Sequence, residues 1–270
     1  MKLIGLGDNV VDYYLDLGKI FPGGNALNVA VMCKRFGAER CSYLGLLGDD
    51  RTGSHITDSL NQELIDISRI RIAAGPSGEA RVAMSEDGDR VFVGSNRGGV
   101  QDLLTLRLND DDLAYVCSHD VVHSSVYSHL EHELPKLKGV SVSFDFSTRQ
   151  NPEYLQLVCP NLTYAFFSGS HLSLAECLNL MTYVHKFGVH IVGITRGSQG
   201  AIFSEKGKVY EQSIIPVSVV DTLGAGDSFI SAFLTHYTQH CDMKSALQQA
   251  AESAALTCGY YGAFGYGIDK

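Results

Sequence analysis

With 270 residues, 45% of them hydrophobic and 19% charged, the chain has the composition of a globular protein that can bury one sizeable core. A net charge of −9 argues against nucleic acid as a partner. No stretch reaches the roughly 18 apolar residues of a membrane helix, so the chain is expected to be cytoplasmic, with no membrane partner. Seven cysteines, odd in number and without a C-x-x-C pair, fit neither a disulfide framework nor a zinc ribbon, and most are expected as buried free thiols.

In chain order, residues 3–6 read as a strand. The following Gly7-Asp8-Asn9-Val10-Val11-Asp12 lacks the third glycine of a dinucleotide fingerprint, since Val10 stands there. Residues 11–17 alternate like a strand. A helix is predicted over 25–36, ended by Gly37, then a strand over 42–47 and a helix over 52–64. Residues 79–93 read as a hairpin around Glu86-Asp87-Gly88-Asp89. Strands at 121–123, 140–146, 163–167 and 189–195 then alternate with helices, most clearly at 174–187. A second hairpin, 198–213, turns at Glu205-Lys206-Gly207. This alternation predicts an α/β fold, a doubly wound and mostly parallel sheet with helices on both faces. Strands without crossover helices, at about 11–17, 67–73 and 79–95, are assigned to a small β-sheet lid on a single domain spanning 1–270.

The richest run is Val219-Val220-Asp221-Thr222-Leu223-Gly224-Ala225-Gly226-Asp227-Ser228-Phe229. Small residues leave the amides of 224–227 bare at a helix N-terminus, which makes an anion site. Asp227 stands inside it, a place suited to a base beside a transferring phosphoryl group. Taken alone, Gly-Ala-Gly-Asp reads equally as a tight turn with an ordinary first-turn carboxylate. Pro22-Gly23-Gly24-Asn25-Ala26-Leu27-Asn28 opens another helix with two glycines and two amides. Glycines admit a polyhydroxylated ligand close to the backbone, and Asn25 and Asn28 offer it donors and acceptors. The competing reading is a Gly-rich turn with Asn25 as a helix cap.

These two strings, with Thr195-Arg196-Gly197-Ser198-Gln199-Gly200 between them in the right order, resemble the ribokinase-like (PfkB-type) sugar kinases over residues 5–228. Gly7-Asp8-Asn9, Asp89-Arg90-Val91-Phe92 and Phe144-Asp145-Phe146-Ser147 look most like the bacterial kinases of Amadori sugars, or fructosamines. The resemblance implies ATP-dependent, Mg²⁺-assisted phosphorylation of the 6-hydroxyl of a sugar such as fructoselysine, fructose-asparagine or fructose-aspartate. Asp227 is then the general base, and Gly224, Ala225 and Gly226 form the anion hole with it. Asp12, Gly23, Gly24, Asn28, Arg90 and Arg149 fall to the sugar, and Thr195, Gly197, Gly200 and Ser168 to the nucleotide. Lid arginines 81, 90 and 97 are candidates for the amino-acid carboxylate. In some relatives the region of Asp221 binds a monovalent cation, which implies K⁺ there, and a lid that pairs between subunits implies a homodimer.

The chain also departs from the family pattern. Where the family carries Asn-x-x-Glu, tied to Mg²⁺, it reads Ser168-Gly169-Ser170-His171, with Glu176 further on. His119, His123, His129 and His132 form no carboxylate–histidine motif, so a protein-held transition metal is not expected. The residues leave two other readings open: a kinase for fructose, ribose, a nucleoside or a ketodeoxy sugar acid, and a noncatalytic binder of sugar or nucleotide.

Overall fold

The computed structural model describes residues 1–84 and 90–270, the side chains of Met84 and Arg90 excepted; the expected hairpin turn at 86–89 lies outside the described residues. The first third of the chain forms β1 (Lys2–Leu6), β2 (Val10–Tyr14), β3 (Lys19–Gly23), α1 (Asn25–Arg35), β4 (Arg40–Leu44), β5 (Leu46–Gly48), α2 (Arg51–Gln62), β6 (Arg71–Ala73), β7 (Glu79–Met84) and β8 (Arg90–Ser95). Next come α3 (Val100–Leu103), α4 (Asp110–Val116), β9 (Val121–Ser125), β10 (Ser141–Asp145), α5 (Pro152–Val158), β11 (Tyr164–Ser168) and α6 (Leu174–His185). The chain ends with β12 (Ile191–Thr195), β13 (Ala201–Glu205), β14 (Lys208–Gln212), α7 (Ala225–His240), α8 (Met243–Thr257) and the short β15 (Ile268–Asp269).

The large sheet runs in the order β14-β13-β12-β11-β10-β9-β1-β4. From β4 to β12 every pairing is parallel, and β13 and β14 close the far edge antiparallel, as the 198–213 hairpin predicted. Its strands carry apolar side chains on both faces, as a sheet covered on both sides requires. Leu3 and Phe166 pack into one core with Met32 and Phe233, while Ile4 and Phe167 pack into the other with Phe144 and Ile194. Four of the seven cysteines are buried and all are free; Cys241 is exposed.

Strand order reverses at β1, which has β9 on one side and β4 on the other. Connections leaving β1 and β9 part there, and ligands of open α/β sheets gather in the crevice this leaves at the strands' carboxyl ends. Over it stands a second sheet, ordered β15-β3-β2-β7-β8, in which Val11, Tyr14, Ile20 and Phe21 are buried. Residues 71–73 do not join it, contrary to the sequence reading. The path β5-α2-β6 is a helical crossover that lays β6 parallel to β5, with Arg71 N donating to Gly45 O at 3.0 Å, so these residues form a separate two-stranded sheet. The lid gains instead β3 and β15, whose short polar-flanked runs carried no alternation to announce them.

Candidate active site

The crevice encloses about 540 Å³. Asp8, Asn9 and Asp12 line it from β1 and the lid, Asn25 and Asn28 from α1, Asp145 and Ser147 from the end of β10, and Gly224, Gly226 and Asp227 from the start of α7. Two helix N-termini therefore meet on its floor.

Asn25 and Asn28 lie three apart on α1 and share a face. The Asn25 Nδ2 donates to Asp227 Oδ1 at 2.7 Å and to Asp145 Oδ2 at 2.8 Å, and Asn28 Nδ2 donates to Asp227 Oδ2 at 2.6 Å. With both its protons committed to carboxylates, Asn25 must turn its Oδ1 toward His123 Nε2, 2.8 Å away. His123 is 0% exposed, and burial pushes its imidazole down to about 3, so the ring is neutral. Its Nε2–H then donates to Asn25, and Nδ1 accepts from the Ser143 hydroxyl at 2.8 Å. One histidine tautomer and one amide orientation satisfy the whole chain of contacts.

Burial pushes Asp227 up to about 6; the Asn28 and Asn25 amides pull it down, and the Asp8 charge adds to the rise. Burial likewise pushes Asp145 up to about 7, reinforced by Asp227 and Asp8 and opposed by the Ser147 amide, which donates to Oδ1 at 2.8 Å. A carboxylate with its pKa near 6 is matched to proton transfer at neutral pH. Asp8 itself joins the loops of the switch point, accepting from Ser125 Oγ at 2.8 Å, Ser128 Oγ at 2.7 Å and Ala26 N at 3.2 Å.

At the start of α7, Gly224 has φ 77°, and a Cβ there would come within 2.6 Å of Ala263 Cβ, so only glycine makes this turn. The Ala225 amide donates to Thr222 O at 3.2 Å, which corrects the expectation of four bare amides. Those of Gly226 and Asp227 sit in the first turn with no helical carbonyl before them. A Cβ added at Gly226 would meet nothing within 4 Å, so the space beside these amides is open to a ligand.

On the sugar side, Asp12 and Asn28 line the crevice, and Gly24 with them. Gly23 is tucked beneath Asp12, whose Oδ2 a Cβ would meet at 2.3 Å. Asn28 Oδ1 and Asn9 Oδ1 are buried acceptors without a hydrogen-bond partner among the described residues. Asn9 is fixed by its Nδ2, which donates to the Tyr43 hydroxyl at 2.9 Å and Leu46 O at 3.0 Å. Buried acceptors lacking donors suit a ligand rich in hydroxyls.

Other assigned residues are not gathered in the same wall. Of the four nucleotide candidates Ser168 lines the crevice, while Thr195, Gly197 and Gly200 lie past it, at the end of β12 and the entry to β13. Ala225 is also outside the lining. Arg149 does not reach the crevice either; its guanidinium stacks 3.7 Å above the Tyr154 ring and donates to Asn151 at 3.3 Å. The Arg90 side chain lies outside the described residues, and Arg81 is paired with Glu79 at 3.0 Å.

Asp221, 2% exposed, accepts from the Tyr14 hydroxyl at 2.6 Å, Gly262 N at 2.9 Å and Leu223 N at 2.5 Å. It ties lid, C-terminal loop and turn together, which favours the turn-shaping role over that of a cation ligand. Among the described residues no group of three or more His, Cys, Asp or Glu could hold a metal ion. Glu176 does not replace the family's glutamate. It closes a capping box at the start of α6, accepting from Ser173 N at 2.8 Å. Among the described residues, then, neither Glu176 nor a cluster of carboxylates offers Mg²⁺ a ready-made site.

Sequence reasoning left Asn9, His123 and Asp145 off its site list and gave Asn25 no role toward Asp227. Position offered a signal for two of them, since Asn9 lies in the loop after β1 and Asp145 at the carboxyl end of β10, where ligands of open α/β sheets gather. His123 had none, being one apolar-flanked histidine among several.

Residues 16–266 match the model of the pfkB family of carbohydrate kinases. The chain is 53% identical over 268 residues to the fructosamine kinase FrlD of Bacillus subtilis, covering 99% of this chain and 94% of that one. It is 34% identical to the fructoselysine 6-kinase of Escherichia coli, over 97% of this chain and 99% of that protein. In fold it is similar to the Arabidopsis thaliana ribokinase solved with ribose and ATP, with a TM-score of 0.85 at 23% identity, over 99% and 95% of the two chains.

Proposed function

The chain belongs to the pfkB family of carbohydrate kinases, and on that premise we propose that it transfers the γ-phosphoryl group of ATP to the 6-hydroxyl of a fructosamine. It is an enzyme that phosphorylates a sugar. The observation that carries the substrate class is the 53% identity, along nearly the whole chain, to a fructosamine kinase. In the reaction the sugar oxygen forms its bond to the γ-phosphorus as the bond to the β-phosphate oxygen breaks, and ADP departs.

Asp227 takes the hydroxyl proton in this scheme. Its pKa of about 6 leaves it mostly ionised at neutral pH, and the two asparagine amides aim it across the crevice. Charge developing on the phosphoryl oxygens falls to the amides of Gly226 and Asp227 and to the α7 dipole. Asp12, Asn28 and Asn9 hold the sugar. Ser168 and the turn of Thr195, Gly197 and Gly200 hold the nucleotide. Mg²⁺ bound to ATP offsets phosphate charge; K⁺ dependence is unsupported by the Asp221 contacts. Among the described residues no helix is long and apolar enough to cross a membrane, in keeping with a cytoplasmic site of action. Edge strand β8 leaves Val91, Phe92 and Val93 exposed, which supports a homodimer formed through the lid.

The test is ATP consumption with Mg²⁺ against fructoselysine, fructose-asparagine, fructose-aspartate, fructose, ribose and several nucleosides. Preferred turnover of an aminated fructose is expected. Equal or better turnover of a free sugar or a nucleoside would discard the substrate while keeping the phosphoryl transfer.

A further inference from the structure

On the lid side of the crevice, two oppositely charged residues stand close in sequence, one on a turn and one on the short α3 that follows it. Arg97 and Asp102 both line the crevice, both are exposed, and neither side chain has a hydrogen bond or ion pair among the described residues. Neighbouring charges on the lid are spent otherwise: Arg81 and Lys270 both engage Glu79.

The backbone beneath the pair is fixed. Asn96 Oδ1 accepts from Glu79 N at 2.8 Å and Gly98 N at 3.2 Å, and its Nδ2 donates to Ser77 O at 2.7 Å. Gln101 brackets the Asn9 peptide group, donating to Asn9 O at 2.7 Å and accepting from Asn9 N at 3.4 Å. The segment is thus locked to the loop after β1, beside the residues assigned to the sugar. Arg97 keeps a φ of 61°, uncommon for a residue other than glycine. An unpaired cation and anion, held on a rigid segment at the mouth of a sugar crevice, form a complement to a ligand carrying both charges. The lid strand sets Phe92, 62% exposed, against the same space.

We propose that Arg97 and Asp102 form the subsite for the amino-acid part of the substrate, Arg97 receiving its carboxylate and Asp102 its positively charged nitrogen. This rests on the fructosamine reading above and gives it a physical basis. A free hexose offers neither charge, so the pair contributes discrimination rather than chemistry, chiefly through KM.

Three acceptors separate the contributions: fructosyl-glycine with both charges, 1-deoxy-1-methylamino-fructose with the nitrogen alone, and fructose with neither. The readout is the ratio of kcat/KM between acceptors, which a general loss of activity does not move. Wild type should rank them in that order. Arg97→Ala should cut the preference for fructosyl-glycine over the methylamino sugar by about tenfold, the size of a lost charge-assisted hydrogen bond, and Arg97→Lys should recover part of it. Asp102→Asn should cut the preference for the methylamino sugar over fructose by about as much. Wild-type preference that persists unchanged in both variants overturns the subsite. No wild-type preference for either aminated sugar overturns the fructosamine reading itself, and the subsite with it.

Discussion

On the floor of the crevice both polar atoms of the Asn25 side chain have buried partners, whereas on the rim Arg97 and Asp102 have none among the described residues. The floor is assembled from α1, β9, β10 and α7, four elements far apart in sequence, and its geometry is over-determined. The rim comes from one short segment, a turn running into α3, whose backbone is fixed while its charged ends stay open to the ligand. The difference teaches how one scaffold divides its work. A proton acceptor has to be held to within fractions of an ångström and kept from water, which only packed elements provide. Recognition of a substrate's variable end needs only correctly placed charges, and these can change without disturbing the core.

The hardest way to break the floor is to remove its base. Asp227→Asn is expected to lower kcat by about 100-fold or more, with far-UV circular dichroism unchanged. Near-normal turnover would take Asp227 out of the proton transfer. The two glycines before it separate next. Gly226→Ala puts a methyl group into open space beside the bare amides, so kcat/KM for ATP should fall about tenfold to 100-fold with the melting temperature preserved. Gly224→Ala should instead unfold earlier, by about 1–3 kcal/mol, because φ 77° and the Ala263 contact both oppose a side chain. Equal thermal losses in both variants would erase that distinction.

A milder break tests the asparagine relay. Asp227 has a pKa of about 6, raised by burial, so kcat should fall as pH drops through that value and the carboxylate takes up a proton. Hydrogen bonds from Asn28 and Asn25 lower this pKa. Removing one, as in Asn25→Ala, should therefore move the acid limb of the kcat profile to higher pH. At pH 7.5 the loss should be about tenfold or less, smaller than for Asp227→Asn. An acid limb that stays in place, with kcat merely scaled down, would make Asn25 a packing residue alone.

The alternation of 3.6- and 2-residue patterns was enough to read the parallel sheet, because strands such as β11 are apolar on both faces and helices such as α1 end at marked glycines. The lid was legible only in part. The alternation read over 11–17 corresponds to β2, Val10–Tyr14, and that over 79–93 to β7 and β8, but β3 and β15 pair through backbone contacts that leave no pattern, and β6 looked like a lid strand while belonging to a crossover. In the crevice lining, Asp227 and Asn28 could be proposed from the sequence because glycine-rich helix starts are local signals, whereas Asp12, on β2, was proposed from the family resemblance. Asn25 toward Asp227, and His123 behind it, were not, since those contacts join residues 202 and 98 positions apart. Arg149 was misplaced for a related reason: the residue that captures it, Tyr154, sits on the next helix and cannot be read from a strand-end motif.

The smallest expected effect lies outside both floor and rim. Glu176 is the nearest glutamate to the place where the family keeps one for Mg²⁺, yet its carboxylate receives Ser173 N and the Ser173 hydroxyl, both within the cap of α6. Glu176→Ala should therefore leave kcat and the Mg²⁺ concentration dependence as they are and lower the melting temperature by about 1–3 °C. A shift in the Mg²⁺ dependence would mean that the residue leaves its cap when nucleotide binds. If the dependence holds, Mg²⁺ reaches the site on the nucleotide's own oxygens and without Glu176.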